Sequence, residues 1–174
     1  DGRDLLAEAR AAGIHVAAGR GELAAAERVP LLGLFAGGPL DLELDRDTTA
    51  QPSLVEMTET ALRLLGGAEH GFLLVVEGAR PDDAAHDHDP AALAREVEAF
   101  DATLAAVLGF ARRDGRTLVV VAPDHETGGL ALGRGDDEGS AHDLRPGVLR
   151  GARASVWRMA DSILAGADPV RIAR

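Results

Sequence analysis

The chain contains no cysteine among its 174 residues. That excludes disulfides, thiolate metal sites and a cysteine nucleophile, but it does not choose a compartment. Lysine, asparagine and tyrosine are missing as well, so all 18 basic residues are arginine. Those three amino acids use A/T-rich codons, and their absence reads as GC-rich coding bias. No apolar run approaches the ~20 residues of a bilayer span, so no membrane-spanning protein is expected. No repeat, low-complexity linker or charged-then-apolar leader is visible, and no signal peptide is read from the start at Asp1. Arg174 directly follows a helical pattern, and both ends read as cuts inside a longer protein.

What is present suits a globular fold. Apolar residues make up 46% and charged residues 27%, too hydrophobic a balance for disorder. At about 150 residues per domain, one domain or a large part of one is expected. The net charge of -11 disfavours binding to a nucleic-acid backbone or an anionic membrane. It still admits a small phosphate substrate, because bound cations reverse the local sign.

Helical and strand patterns alternate along the chain. Asp4 to Ala12 reads as a short amphipathic helix, Ile14 to Ala17 as a strand and Leu23 to Ala26 as a helical turn. Val29 to Phe35 is an apolar run closed by Gly37-Gly38-Pro39, as in a buried strand. Pro39 to Pro52 reads as a loop, and Ser53 with Glu56 forms a capping box for the next helix. Phe72 to Val76 and Leu118 to Ala122 are fully apolar and read as strands. Between them, Asp89-Pro90 opens a long helix with Leu93, Val97, Phe100, Leu104, Val107, Leu108 and Ala111 at helical spacing, closed by Asp114-Gly115. Gly133 to Gly147 reads as a polar loop and Val148 to Leu164 as a final amphipathic helix. Strands apolar on both faces and joined by helices imply an α/β fold: a mostly parallel sheet with helices on both faces. Ligands of such sheets sit beyond the carboxyl ends of the strands.

Metal-ligand residue types stand at two of those ends. Glu77, Asp82 and His86 follow one apolar segment; Asp124 and His125 follow the other. If the two segments are neighbours, the five share a crevice. Carboxylates with imidazoles suit zinc, and a carboxylate-rich site suits magnesium. One helical turn aims Asp82 and His86 at the same ion. Asp124 and His125 meet one ion only where the backbone turns, which Gly128-Gly129 permits. His88 reads as a surface residue, His15, His70 and His142 as structural, Arg80 as an outward-facing surface arginine, and Trp157 as packing.

At these residues the sequence resembles a known family. V-E-G-A-R-P-D-D-A-A-H from Val76, the F-D-A-T-L helix, and L-V-V-V-A-P-D-H-E-T-G-G-L from Leu118 resemble the alkaline phosphatases. D-G-R-D-L-L, L-D-R-D-T-T-A-Q-P-S-L and L-A-L-G-R look like bacterial members. The resemblance implies two zinc ions, one magnesium ion and a serine that is phosphorylated and then hydrolysed. By motif position it makes Glu77 the magnesium ligand, Asp82 and His86 ligands of the first zinc, and Asp124 and His125 ligands of the second. It also implies small phosphate monoester substrates, a homodimer, and a periplasmic or secreted protein.

The chain departs from the family pattern in several places. Pro81 and Pro123 precede the two motif aspartates where other residue types are usual. The family's nucleophile lies in an Asp-Ser-Ala segment. The chain has four serines, Ser53, Ser140, Ser155 and Ser162. Asp161-Ser162 falls inside an expected helix and Ser53 is a cap, so the nucleophile is not identified here. The remaining ligands and the substrate-clamping arginine are not found either. Residues 1–174 are therefore expected to be a single partial domain, lacking the nucleophile region and the C-terminal segment, and without turnover in isolation. The alternatives are a phosphodiesterase or phosphomutase of the same superfamily, or a non-catalytic acidic metal-binding module.

Overall fold

Short polar side chains start most of the helices. In the computed structural model, which describes residues 2–127, 130 and 146–172, the Asp4 carboxylate accepts from the Ala7 N–H at 2.9 Å. It opens helix α1 (Leu5–Ala11). Strand β1 (His15–Ala17) follows, then α2 (Arg20–Ala24) and β2 (Leu31–Gly33). The strands pair in parallel, His15 opposite Leu31 and Ala17 opposite Gly33, with α2 as the crossover. Both are shorter than the apolar runs that contain them.

Ser53 caps α3 (Leu54–Leu65) as a full capping box: its hydroxyl accepts from the Glu56 N–H, and the Glu56 carboxylate returns to the Ser53 N–H. The helix stops at Gly66, where a Cβ would stand 2.7 Å from the Leu62 carbonyl and 3.0 Å from the Phe110 ring. Helix α4 (Arg80–His86) carries Pro81 in its first turn, where a missing N–H costs nothing. Helix α5 (Pro90–Asp114) is the longest. Asp89 accepts from the N–H groups of Ala91 and Ala92 at its start, and Gly115 leaves it at a φ of +71°.

The expected inner face of α5 is half-buried at Leu93, Phe100, Leu104, Val107, Leu108 and Ala111 and open only at Val97, while the most deeply buried positions of the helix include polar ones. Ala92, Glu96 and Thr103 are buried, whereas Val97 is 52% exposed. The polar pair is admitted because each has a partner. A Glu96 carboxylate oxygen accepts from the Glu43 N–H at 2.5 Å, and the Thr103 hydroxyl donates to the Ala99 carbonyl at 2.8 Å.

The single helix expected over 148–164 is three pieces of chain: α6 (Pro146–Gly151), a break, and α7 (Val156–Leu164). Ser155 causes the break. Its backbone is extended, its hydroxyl accepts from the Arg158 N–H at 3.1 Å, and its own N–H donates to Asp45 at 3.0 Å. A fully buried serine held this way starts a helix and cannot continue one. A short α8 (Pro169–Ile172) follows.

Phe72–Val76 and Leu118–Ala122 differ from expectation too. They join no ladder among the described residues, where the sheet has only β1 and β2. Apolar composition favours extended backbone, but a strand also needs a neighbour to exchange hydrogen bonds. Leu73, Val75, Leu118 and Val120 are 88%, 81%, 86% and 78% exposed. Helices and a small parallel sheet nevertheless make the chain α/β.

The chain forms two compact units. The first comprises 1–41, 46–77 and 99–120, with Phe72 packed edge-on against Phe110 at 5.9 Å between ring centres. The second comprises 42–45, 78–98 and 121–174. Its apolar centre is Leu42, Ala84 and Ala92, with Leu93 against them. Gly128-Gly129, the stretch from Ala131 to Gly133-Arg134, Ser140, His142 and nearly all of the expected loop over 133–147 lie outside the described residues.

Candidate metal centre

The second unit holds four of the five residues singled out above. Asp82 and His86 sit one turn apart on α4, so their side chains share a face. His86 Nε2 lies 3.6 Å from Asp82 Oδ2, too far for a direct hydrogen bond. Both atoms thus keep lone pairs uncommitted to each other. The segment leaving 118–122 supplies the second pair, with His125 Nε2 3.4 Å from Asp124 Oδ2.

Two local bonds shape that second pair. The His125 N–H donates to Asp124 Oδ1 at 3.0 Å. His125 Nδ1 lies 2.9 Å from the Glu126 carbonyl oxygen. A carbonyl only accepts, so Nδ1 carries the proton and Nε2 is left as the basic nitrogen. The Glu126 carbonyl, then the charges of Asp124, Asp82 and Glu126, raise the His125 pKa above the ordinary imidazole value. The Asp124 carboxyl is lowered, first by the His125 N–H.

The segment that carries the second pair touches α4 through a residue that stands in the sequence only as a letter of a motif. The Thr127 hydroxyl donates to Asp82 Oδ1 at 3.0 Å. Nothing in the sequence singles out this threonine as a partner of Asp82, because the contact joins positions 45 apart. Among the described residues, no three His, Asp or Glu side chains are grouped closely enough to hold an ion together. The donors available are imidazole nitrogen and carboxylate oxygen, a set that suits zinc.

Glu77 is exposed and belongs to the first unit, as the last residue of its 46–77 segment. Arg80 does not face outward as expected. Its guanidinium pairs with Asp83 at 2.6 Å, and its Nε is buried with no partner among the described residues. His88 is exposed at a φ of +54°. His15 is half-buried in β1, and His70 is exposed. Trp157 is no packing residue: it is 59% exposed, and its indole N–H donates to Asp87.

Residues 1–145 match the family model described as alkaline phosphatase. The chain belongs to the alkaline phosphatase family. It is 36% identical to alkaline phosphatase 3 of Bacillus subtilis over 166 residues, covering 95% of this chain and 35% of that protein. Against the repressible alkaline phosphatase of Saccharomyces cerevisiae the identity is 41%, covering 77% of this chain and 26% of that protein. The crystal structure of the Thermus thermophilus alkaline phosphatase superposes with a TM-score of 0.80 at 35% identity, covering 92% of this chain and 34% of that one. The cold-active alkaline phosphatase of the psychrophile Shewanella sp. gives 0.83 at 29%, covering 97% and 41%. The chain therefore spans between about a quarter and two fifths of these alkaline phosphatases. The small parallel sheet with its helices is an incomplete form of their α/β fold. Among the described residues no helix is long and apolar enough to cross a membrane.

Proposed function

We propose that these residues are part of a longer alkaline phosphatase that hydrolyses phosphate monoesters. In it, Asp82 and His86 would hold a first zinc, Asp124 and His125 a second, and Glu77 a magnesium ion. The observation that carries the reading is the family match over residues 1–145. Its site assignment draws support from the two imidazole–carboxylate pairs and from the Thr127 hydrogen bond to Asp82. A relative named streptomycin-6-phosphate phosphatase, from Streptomyces griseus, is 37% identical over 175 residues and supports monoesters as the substrate class. Divalent cations, when bound, polarise phosphoryl oxygens and lower the pKa of a coordinated hydroxyl. The chain's own part is to present Nε2 of both imidazoles beside the oxygens of Asp82 and Asp124.

The 174 residues alone would not turn over. Ser53 and Ser155 are occupied as helix caps, and the Ser162 hydroxyl donates to the Arg158 carbonyl inside α7. Ser140 lies outside the described residues. Export to the periplasm or medium and assembly as a homodimer are part of the proposal and rest on the family resemblance.

The test is hydrolysis of an aryl phosphate monoester and of the matching diester by the full-length protein, with zinc and magnesium supplied. Monoester turnover should dominate and fall by orders of magnitude in His125→Ala. Glu77→Gln should weaken the magnesium dependence while zinc content stays at the wild-type level. Preference for the diester would overturn the monoesterase reading, and unaltered magnesium dependence would remove Glu77 from the site.

A further inference from the structure

We propose that Thr127 is the positioning residue for the Asp82 carboxylate, an inference that rests on the metal-site reading above. An ionised carboxylate only accepts hydrogen bonds and has two oxygens to offer. Thr127 Oγ1 donates to Oδ1 at 3.0 Å, while Oδ2 is the oxygen that stands 3.6 Å from His86 Nε2. The two oxygens are thus divided between two tasks. One is tied to the protein, and the other faces the imidazole with a gap between them.

That division fixes rotation about the carboxylate's terminal torsion, which is otherwise broad and roughly two-fold. Threonine suits the role because its β-branch restricts χ1 and so the direction of the hydroxyl. The carboxylate is partly solvent-accessible, with its side chain 41% exposed. Water would compete for Oδ1 without this bond, and no fixed direction would remain for Oδ2. The same bond ties the segment 124–127 to α4 inside the second unit. It therefore sets where Asp124 and His125 stand relative to Asp82 and His86. Both pairs gain from one hydroxyl, two positions beyond His125 and 45 beyond Asp82.

Partners that orient a ligating carboxylate typically contribute about 10- to 100-fold in metal affinity. The test uses the full-length protein stripped of metal and titrated with zinc against a competing chelator. Thr127→Val keeps the shape and removes the donor, so it should weaken zinc binding by about 10- to 100-fold. Thr127→Ser keeps the hydroxyl and should recover most of that loss. Thr127→Ala provides a second donor deletion, and thermal unfolding of each metal-free variant reports whether it is folded. Asp82→Ala is the control for the underlying site. If Asp82→Ala loses zinc and folded Thr127→Val and Thr127→Ala bind it as the wild type does, the positioning role is wrong and the metal reading stands. If the serine variant binds as poorly as the valine one, the hydroxyl is not the cause and the role is also wrong. If Asp82→Ala keeps full zinc affinity, the metal assignment of Asp82 fails and this inference fails with it.

Discussion

Asp89 shows how much one residue can carry in this chain. Its side chain is almost completely buried. One carboxylate oxygen accepts from the N–H groups of Ala91 and Ala92, and the other from that of Val156 at 2.7 Å. It thus serves the starts of α5 and α7 together, and its burial is tolerated because both oxygens accept from N–H donors. Asp89→Ala should cost roughly 2–4 kcal/mol, the loss of caps plus buried donors left unsatisfied. Asp89→Asn keeps one acceptor oxygen and should cost less. Urea unfolding of the 174-residue chain checks both, and equal losses would show that the acceptor count is not what matters. Half of this role was legible in the sequence: Asp89-Pro90 announces a helix start. The bond to Val156 was not, because it joins positions 67 apart.

Elements set by neighbours a few residues away are the ones that follow most directly from the sequence. Helix α3 is the clearest case, with Ser53 and Glu56 closing a capping box. Glu56 also pairs with Arg20 at 2.6 Å. That hydrogen bond, helped by the Ser53 contacts and working against burial, which raises it, lowers the Glu56 carboxyl below its ordinary value of 4.5. A carboxyl with a lowered folded pKa stabilises the fold above its unfolded pKa. The contribution fades as the pH falls from there through the folded value. Ser53→Ala should therefore cost about 1 kcal/mol at neutral pH. Glu56→Gln retains a capping side chain and removes the partly exposed ion pair, so its cost should be about 1 kcal/mol or less. The Gln penalty should disappear in acid, and a penalty that grows there would contradict the sign. The 148–164 segment shows the opposite case. Its apolar spacing continues through Ser155, but Asp45, distant in sequence, fixes that serine as a cap and divides the helix.

For the molecule as a whole, the notable feature is apolar backbone without sheet partners among the described residues. Leu73, Val75, Leu118 and Val120 are each more than three quarters exposed. Exposed extended apolar segments are templates for association. The isolated 174-residue chain should bind a hydrophobic reporter dye and grow in scattering mass with concentration. Replacing Leu73 and Val75 with lysine should reduce both signals. A strictly monomeric, dye-silent wild-type chain would mean that these segments are covered in solution.

The sequence by itself determined the helix starts, the apolar segments and the residue types gathered at their ends, together with the family to which those motifs belong. Caps, turns and periodicity act over one or two turns of chain, so a local reading captures them. Only the tertiary structure decided which extended segments pair, that Glu96 and Thr103 of α5 are buried, where the last helices break, and that Thr127 reaches Asp82. Each of those outcomes needs a hydrogen-bond or packing partner from distant positions, and the spacing of residues along a chain does not specify which distant groups will meet.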